Sequence, residues 1–465
     1  MRTKQQVRVA ARAACVEQLE GRTLMAGDAV LEWNNVAVEA GKAERLPPPR
    51  QVRMLAMMHA AVFDAVNGIE QGYDPYLVNR RAPRWASADA AAAAAARDVL
   101  AALMPARAAT FDAALTTSLA GVPNGRAEDT GVAFGRLIAE QVLAARQDDG
   151  VDDVVVYVPG TEADDWQPTS TAPAAQALMP QFATVDPFGI PAPDHFRPAA
   201  PPSIESVEFT AAFNEVKALG AKDGSTRTDE QTEIALYWAG PGGTVQPPGH
   251  WNRIARGVAA DQENTLAENA RLFALLNIGM ADAVIASWDA KFEYEYVRPL
   301  TAIHNAENDG NPDTAADAGW SSLLGTPPFP AYTSGHSTVS GAAAAILADF
   351  FGNDDIAFTD TSEGLPGGPP ITRSFDSFSE AAEEAGVSRI YGGIHWSFDN
   401  TAGLAAGRDV GGFIADNLLQ PRVVLPREAP DAPVPFASTA RSLSLAIAAD
   451  GEDDGEDLLT SLTGA

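Results

Sequence analysis

The run PFPAYTSGHSTVSGAAAAILADFF, Pro328 to Phe351, passes without interruption from a Pro-rich loop into a helix of small residues. Thr333 or Ser334 is placed to cap that helix, so its first free N–H groups and the positive end of its dipole would face whatever sits above them. Such a terminus favours an anion. Gly335 allows close approach of the backbone, and His336 stands beside the terminus, where it could pass a proton to a bound oxygen. An ordinary helix cap with a surface histidine reads the same way, so the stretch needs partners from elsewhere in the chain.

Two clusters offer them. Lys291 and Arg298 are seven positions apart, which on a continuous helix returns them to nearly one face, two turns apart. Pro299 disfavours helical geometry at Arg298 and places that guanidinium at a helix end. Alone, the two read as solvated charges on an amphipathic helix. In VSRIYGGIHWSFDN, Val387 to Asn400, His395 and Asp399 are four apart. If both are helical, the carboxylate takes the Nδ1 proton and leaves Nε2 free to bond outward. Arg389 lies about 240° from His395 on an ideal helix, and the two converge only if Gly392-Gly393 bends the chain. Brought together, Lys291 with Arg298-Pro299, Ser334-Gly335-His336, and Ser388-Arg389 with His395 can enclose a tetrahedral oxyanion, vanadate or phosphate.

Around these clusters the dominant period is helical. Val52–Val66, Ser87–Met104, Pro105–Leu119 and Arg126–Arg146 place apolar residues three and four apart, with Pro105 suited to a first turn. Residues 148–202 are rich in Pro, Asp, Thr and Gly and are too long for an ordinary connection; a segment that wraps the surface is expected. Thr228 with Gln231, Thr265 with Glu268 and Ser377 with Glu380 have the spacing of capping boxes. The periodic stretch Leu266–Val297 is expected to form one helix or two broken near Gly279. Ser337–Phe351, Ser379–Val387 and Trp396–Leu419 complete the set. The expectation is an all-α fold, two helical bundles packed as one globular unit, with the site at the helix ends of the second. Its parts are 1–28, an export or sorting segment; 29–227, a helical region with the wrapping loop; 228–425, the site-bearing bundle; and 426–465, an acidic tail.

Composition removes several classes of function. The 465 residues carry 32 Lys and Arg against 62 Asp and Glu, a net charge of −30. Neutralising nucleic-acid phosphates or an anionic lipid surface needs the opposite surplus. Cations gathered in so acidic a chain are best explained as enclosed. The single Cys15 permits no intramolecular disulfide or cysteine metal cage. No run of eighteen uncharged apolar residues occurs, which argues against a membrane-spanning protein. Arg2, Lys4, Arg8 and Arg12 precede a short apolar stretch and a small-residue site at Leu24-Met25-Ala26, a pattern resembling an N-terminal export tag, although Glu17 interrupts it. His59 falls in an apolar helix near Asp64, and His195, His250 and His304 fall in or beside loops; none has a partner at metal-ligand spacing, and they receive no role.

The three clusters, in this order, resemble the signature of the vanadium-dependent haloperoxidases, a family that shares its site with type 2 phosphatidic acid phosphatases and bacterial acid phosphatases. The similarity spans about Thr228 to Leu419. Trp288, three residues before Lys291, and Phe329 fit the chloroperoxidase-like branch, whose fold the chain is expected to share. One departure is Thr333, where the family usually has proline before Ser-Gly-His.

The resemblance implies that vanadate is the cofactor, with phosphate an isosteric competitor, and that His395 is the metal ligand. Lys291, Arg298, Ser334, Gly335 and Arg389 would hold the oxygens. His336 would be the acid–base residue, Lys291 would polarise the bound peroxide, and Trp288 and Phe329 would line the halide pocket. Asp399 would orient His395 from behind. Hydrogen peroxide and chloride or bromide would be the substrates, with hypohalous acid as product and room for an organic acceptor. With phosphate instead of vanadate, the same atoms would make an acid phosphatase in which His395 is the nucleophile and His336 protonates the leaving alcohol. A silent phosphate-binding protein would lack one of these residues, and none is missing. Monomer and homo-oligomer are equally compatible with the sequence.

Overall fold

Asp28 accepts the Val30 and Leu31 N–H groups on one carboxylate oxygen, an N-cap that satisfies two orphan donors. The computed structural model describes residues 28–169 and 177–422, which fall within one unit. The expected export segment, 1–28, lies outside the described residues except for Asp28, and the expected acidic tail, 426–465, lies outside them entirely, as does Cys15.

Among the described residues the elements are α1 Ala29–Ala43, α2 Pro48–Glu70, α3 Ala88–Leu103, α4 Ala108–Ala120, α5 Arg126–Ala145, α6 Val207–Leu219, α7 Asp229–Tyr237, α8 Gln246–Asp261, α9 Leu266–Tyr294, α10 Pro299–Asn305 and α11 Gly335–Phe351. They are followed by β1 Phe358–Ser362, β2 Ile371–Phe375, α12 Phe378–Tyr391 and α13 Ser397–Asn417. The mainly helical fold expected from the apolar periodicity is the one observed. β1 and β2 form an antiparallel hairpin with Phe358 opposite Phe375, a feature the sequence reading had not anticipated.

The N-terminal layer packs α2, α3 and α5 together, and the C-terminal layer packs α11 against α12 and α13. α9 lies between them, against α2 on one side and α11 and α13 on the other. That position explains its composition: by length and apolarity it could cross a membrane, yet 94% of its most apolar window is buried inside the fold. α9 is also unbroken at Gly279. A methyl group there would sit 2.2 Å from Ile346 Cδ1, so the glycine serves close packing against α11 and not a break.

The crossing of α11 and α13 is closer still. Gly403, Gly407 and Gly411, four apart on α13, face Ser334, Ser337, Thr338 and Ala342 around and along α11. A Cβ at Gly407 would lie 2.1 Å from the Thr338 carbonyl oxygen. This contact sets α13 and α11 at short range with their N-terminal ends adjacent, as the Ser334 N–H bond to the Asp399 carbonyl shows at 3.1 Å.

Three local expectations need correction. Pro105 opens a short 3-10 turn, Pro105–Arg107, and α4 follows it. α6, α8 and α10 had not been anticipated, and His250, expected in or beside a loop, lies buried within α8. The long segment 148–202 contains no α-helix among its described residues. It is anchored where Asp282, fully buried on α9, accepts the N–H groups of Phe188, Gly189 and Ile190.

Candidate active site

α9 ends at Tyr294 because Glu295 adopts a left-handed conformation, so Lys291 sits in its last turn. Arg298 is extended and precedes α10 as its N-cap, the geometry Pro299 requires of its neighbour. Lys291 and Arg298 therefore meet through a turn, and not by the two-turn helical register expected from their spacing. Both are fully buried. Arg298 donates from Nε to the Phe329 carbonyl at 2.8 Å, from Nη2 to Pro330 at 3.2 Å, and from Nη1 to Ile394 at 2.7 Å.

Lys291 Nζ donates to the carbonyls of Pro330 and Ala331, each at 2.9 Å, and to that of Thr333. Burial, and then the Arg298 charge, pull its pKa well below 10.5. Three acceptors need three hydrogens, which only the ammonium form supplies, so the contacts fit the charged lysine. Those donors are spent on the loop. Lys291 thus acts on the site by its charge and by holding residues 330–333 in place.

Ser334, not Thr333, caps α11: its Oγ accepts the Ser337 N–H at 3.3 Å and the Ser337 hydroxyl at 2.8 Å. Thr333 Oγ1 instead bridges Ser287 at 3.1 Å and Thr338 at 3.2 Å, fastening the loop to α9 and α11 with side-chain bonds. In the first turn, the N–H groups of Gly335 and His336 have no intrahelical acceptor and are the anion-facing end of the helix.

α12 carries Arg389 in its last turn, and Gly392 and Gly393 then redirect the chain. Gly393 has φ 76°, a left-handed conformation that a side chain would oppose. The glycine bend expected from the sequence is what returns His395 to Arg389. His395 precedes α13, and Asp399 is in that helix's first turn. Asp399 Oδ2 accepts His395 Nδ1–H at 2.8 Å and the Trp396 N–H at 3.1 Å, which leaves the lone pair of His395 on Nε2. Burial foremost, with Arg298 and Lys291 adding to it, holds His395 well below 6.5 and hence neutral. Burial pushes Asp399 up to about 7.

The Trp238 carbonyl, just beyond α7, accepts Arg389 Nη1 at 2.9 Å and His336 Nε2 at 3.1 Å. A carbonyl cannot donate, so the hydrogen of neutral His336 is on Nε2 and Nδ1 is its basic nitrogen. Burial and the Arg389 charge keep His336 neutral, its pKa well below 6.5. The sequence reading had not found Trp238 in this role, because a backbone oxygen leaves no trace in residue type. Trp288 and Phe329, 5.0 Å apart between ring centroids, stand beside the cations, with Lys291 Nζ 5.1 Å and the Arg298 guanidinium 4.9 Å from the Phe329 ring.

The electrostatics call for an anion. Lys291, Arg298 and Arg389 are at most 3% exposed, and among the described residues none of the three has an ion pair within 4.0 Å. Burial lowers both guanidinium pKa values to about 9, which still leaves them charged at neutral pH. Arg389 Nε is buried with no acceptor. Among the described residues, Asp399 is the one carboxylate among the electrostatic neighbours of Lys291 and Arg298. Uncompensated buried cations are costly, and a multiply charged oxyanion both neutralises them and supplies acceptors for their free N–H groups. Vanadate and phosphate both fit that donor set.

Residues 271–421 match the family model described as the VCPO second helical-bundle domain. The chain is 32% identical over 279 residues to the vanadium chloroperoxidase of Curvularia inaequalis, a match covering 47% of this chain and 44% of that protein, less than half its length. Among solved structures, a bacterial vanadium-dependent iodoperoxidase superposes with a TM-score of 0.72 at 26% identity, covering 83% of this chain and 95% of the other. The holo form of a bacterial vanadium-dependent chloroperoxidase shares the fold with a TM-score of 0.65 at 19% identity, covering 80% and 92%. With its buried cation cluster and its helical architecture, the chain is similar over residues 271–421 to the VCPO second helical-bundle domain, and over most of its length to the fold of the bacterial vanadium-dependent iodoperoxidase.

Proposed function

We propose that the protein is a vanadate-dependent peroxidase that oxidises chloride or bromide with hydrogen peroxide to hypohalous acid, in the manner of the chloroperoxidase-like branch. The observation that carries this reading is the set of three buried cations without ion-pair partners among the described residues, next to a neutral imidazole whose Nε2 lone pair is presented by Asp399. Vanadate, when bound, supplies an electrophilic centre that activates peroxide toward halide while keeping one oxidation state.

The chain's own groups do the rest. Arg298, Arg389 and the first-turn N–H groups of α11 hold the anion's oxygens, and Lys291 adds charge from behind the loop. His395 is the nitrogen ligand, kept neutral by burial and fixed in its tautomer by Asp399. His336, with Nε2 held by the Trp238 carbonyl, would offer Nδ1 as the base that takes a proton from hydrogen peroxide and the acid that gives it back. Trp288 and Phe329 give the halide a dry wall next to positive charge. The basic N-terminal segment supports export to the periplasm, the cell surface or the medium.

The test is to load the purified protein with vanadate and follow peroxide-dependent halogenation beside hydrolysis of an aryl phosphate. Vanadate-dependent halogenation suppressed by phosphate is expected. Hydrolysis without halogenation overturns the proposal in favour of the phosphatase that the same atoms could form.

A further inference from the structure

Asp360, on β1, lies on no segment that the site clusters contain, yet it collects four donors. Its Oδ2 accepts His250 Nε2 at 2.7 Å, the Tyr237 hydroxyl at 2.9 Å and Arg253 Nη2 at 2.9 Å, and its Oδ1 accepts Arg253 Nε at 2.8 Å. Tyr237, His250 and Asp360 are all buried. The Arg253 and His250 contacts hold the carboxylate ionised against the cost of burial. A fully bonded carboxylate in such a place is a rigid anchor.

What it anchors is Trp238. Tyr237 is its chain neighbour, and His250 stacks on its indole with ring centroids 4.6 Å apart and planes 30° from parallel. The indole Nε1 is tied to Glu384 on α12 at 3.1 Å. The residue so clamped turns its carbonyl to the site, where both lone pairs are taken, one by His336 and one by Arg389.

We infer that Asp360 is a positioning residue for the active site, acting through Tyr237 and His250 on the Trp238 carbonyl that orients both His336 and Arg389. The inference rests on reading those two residues as the proton-transfer and oxyanion-holding groups of the proposed function. It makes one carboxylate, from a hairpin outside the signature clusters, responsible for the tautomer of the base and the aim of a cation together.

Tyr237→Phe and His250→Phe each keep an aromatic ring and remove one donor, leaving the Asp360–Arg253 pair intact. The measurements are calorimetric affinity of the full chain for inorganic phosphate and the 15N spectrum of labelled histidines, with His336 assigned by the loss of its signals in His336→Ala. Wild type is expected to show His336 with hydrogen on Nε2. Each variant is expected to bind phosphate about 3- to 10-fold more weakly, the scale of one lost hydrogen bond, and to show a mixture of His336 tautomers. The double variant is expected to fall short of the product of the two effects, because both act through one carbonyl. A folded variant with wild-type phosphate affinity and an unchanged His336 tautomer overturns the inference, as does a wild-type His336 with its hydrogen on Nδ1. Neither readout needs turnover, so a failure of halogenation in wild type would count against the proposed function and leave this result to stand by itself.

Discussion

Arg298 Nη1 stands 3.0 Å from His395 Nε2, pointing an N–H at the lone pair that the proposed metal ligand would use. An anion bonded through His395 Nε2 would exchange one partner for another at a group already neutral and already oriented.

Two variants separate the ligand from its support. His395→Ala is predicted to abolish vanadate binding, measured by calorimetry, while the protein stays folded. Asp399→Asn, which cannot accept the Nδ1 hydrogen with the same charge, is predicted to weaken binding about 10- to 100-fold, the usual scale for the group behind a metal-bound histidine. Undiminished binding by the alanine variant would remove His395 from the ligand role.

His336→Ala is predicted to bind vanadate nearly as well as wild type, because its contact with the protein is to a carbonyl and not to a cation needed for neutralisation. Its kcat for halogenation should fall about 10²- to 10⁴-fold, the range for loss of a positioned acid–base group. Steady-state kinetics at saturating vanadate checks this, and an unaltered kcat contradicts it.

Arg389→Ala removes a buried guanidinium whose Nε has no acceptor among the described residues. Hydrogen bonds to charged groups contribute about 1.5–3 kcal/mol, so affinity for vanadate or phosphate should drop roughly 10- to 100-fold. A competition titration with inorganic phosphate measures it, and unchanged affinity would place the anion elsewhere.

His59 gives a pH prediction for stability. It is fully buried on α2, bonded from Nε2 to Asn34 Oδ1 at 3.0 Å and stacked on Phe273, and burial lowers its pKa from 6.5 to about 3. Between those values the unfolded chain binds a proton that the folded chain refuses. Its stabilising contribution is thus complete above pH 6.5 and declines as pH falls toward 3. At pH 5 the loss from this residue should be about 2 kcal/mol, at about 1.4 kcal/mol per pH step. Urea unfolding of wild type and His59→Gln at pH 7.5 and pH 5 should show the variant losing less on acidification. Parallel losses would assign the effect to other groups.

The site was more legible in the sequence than the frame that carries it. Thr228 with Gln231, Thr265 with Glu268, and Ser377 with Glu380 announced helix starts because a cap is a local bargain between neighbouring residues. Gly392-Gly393 announced a bend for a similarly local reason. The unbroken course of α9 past Gly279 depends on Ile346, far away in the chain, so spacing alone could not reveal it. Asp360 and the Trp238 carbonyl escaped because one lies on a hairpin without a motif and the other is backbone. Between Thr333 and Ser334 the spacing leaves the cap open; Ser334 takes it and Thr333 ties α9 to α11, a distinction set by which hydroxyls fold against each.

A structure of the protein with vanadate bound tests the central claim most directly. The account predicts the anion among Arg298, Arg389 and the first-turn N–H groups at Gly335 and His336, with its metal bonded to His395 Nε2 and Arg298 Nη1 turned from that nitrogen to an oxygen of the anion. Vanadate seated on other residues, or held in this site with His395 Nε2 still paired to Arg298, would contradict it.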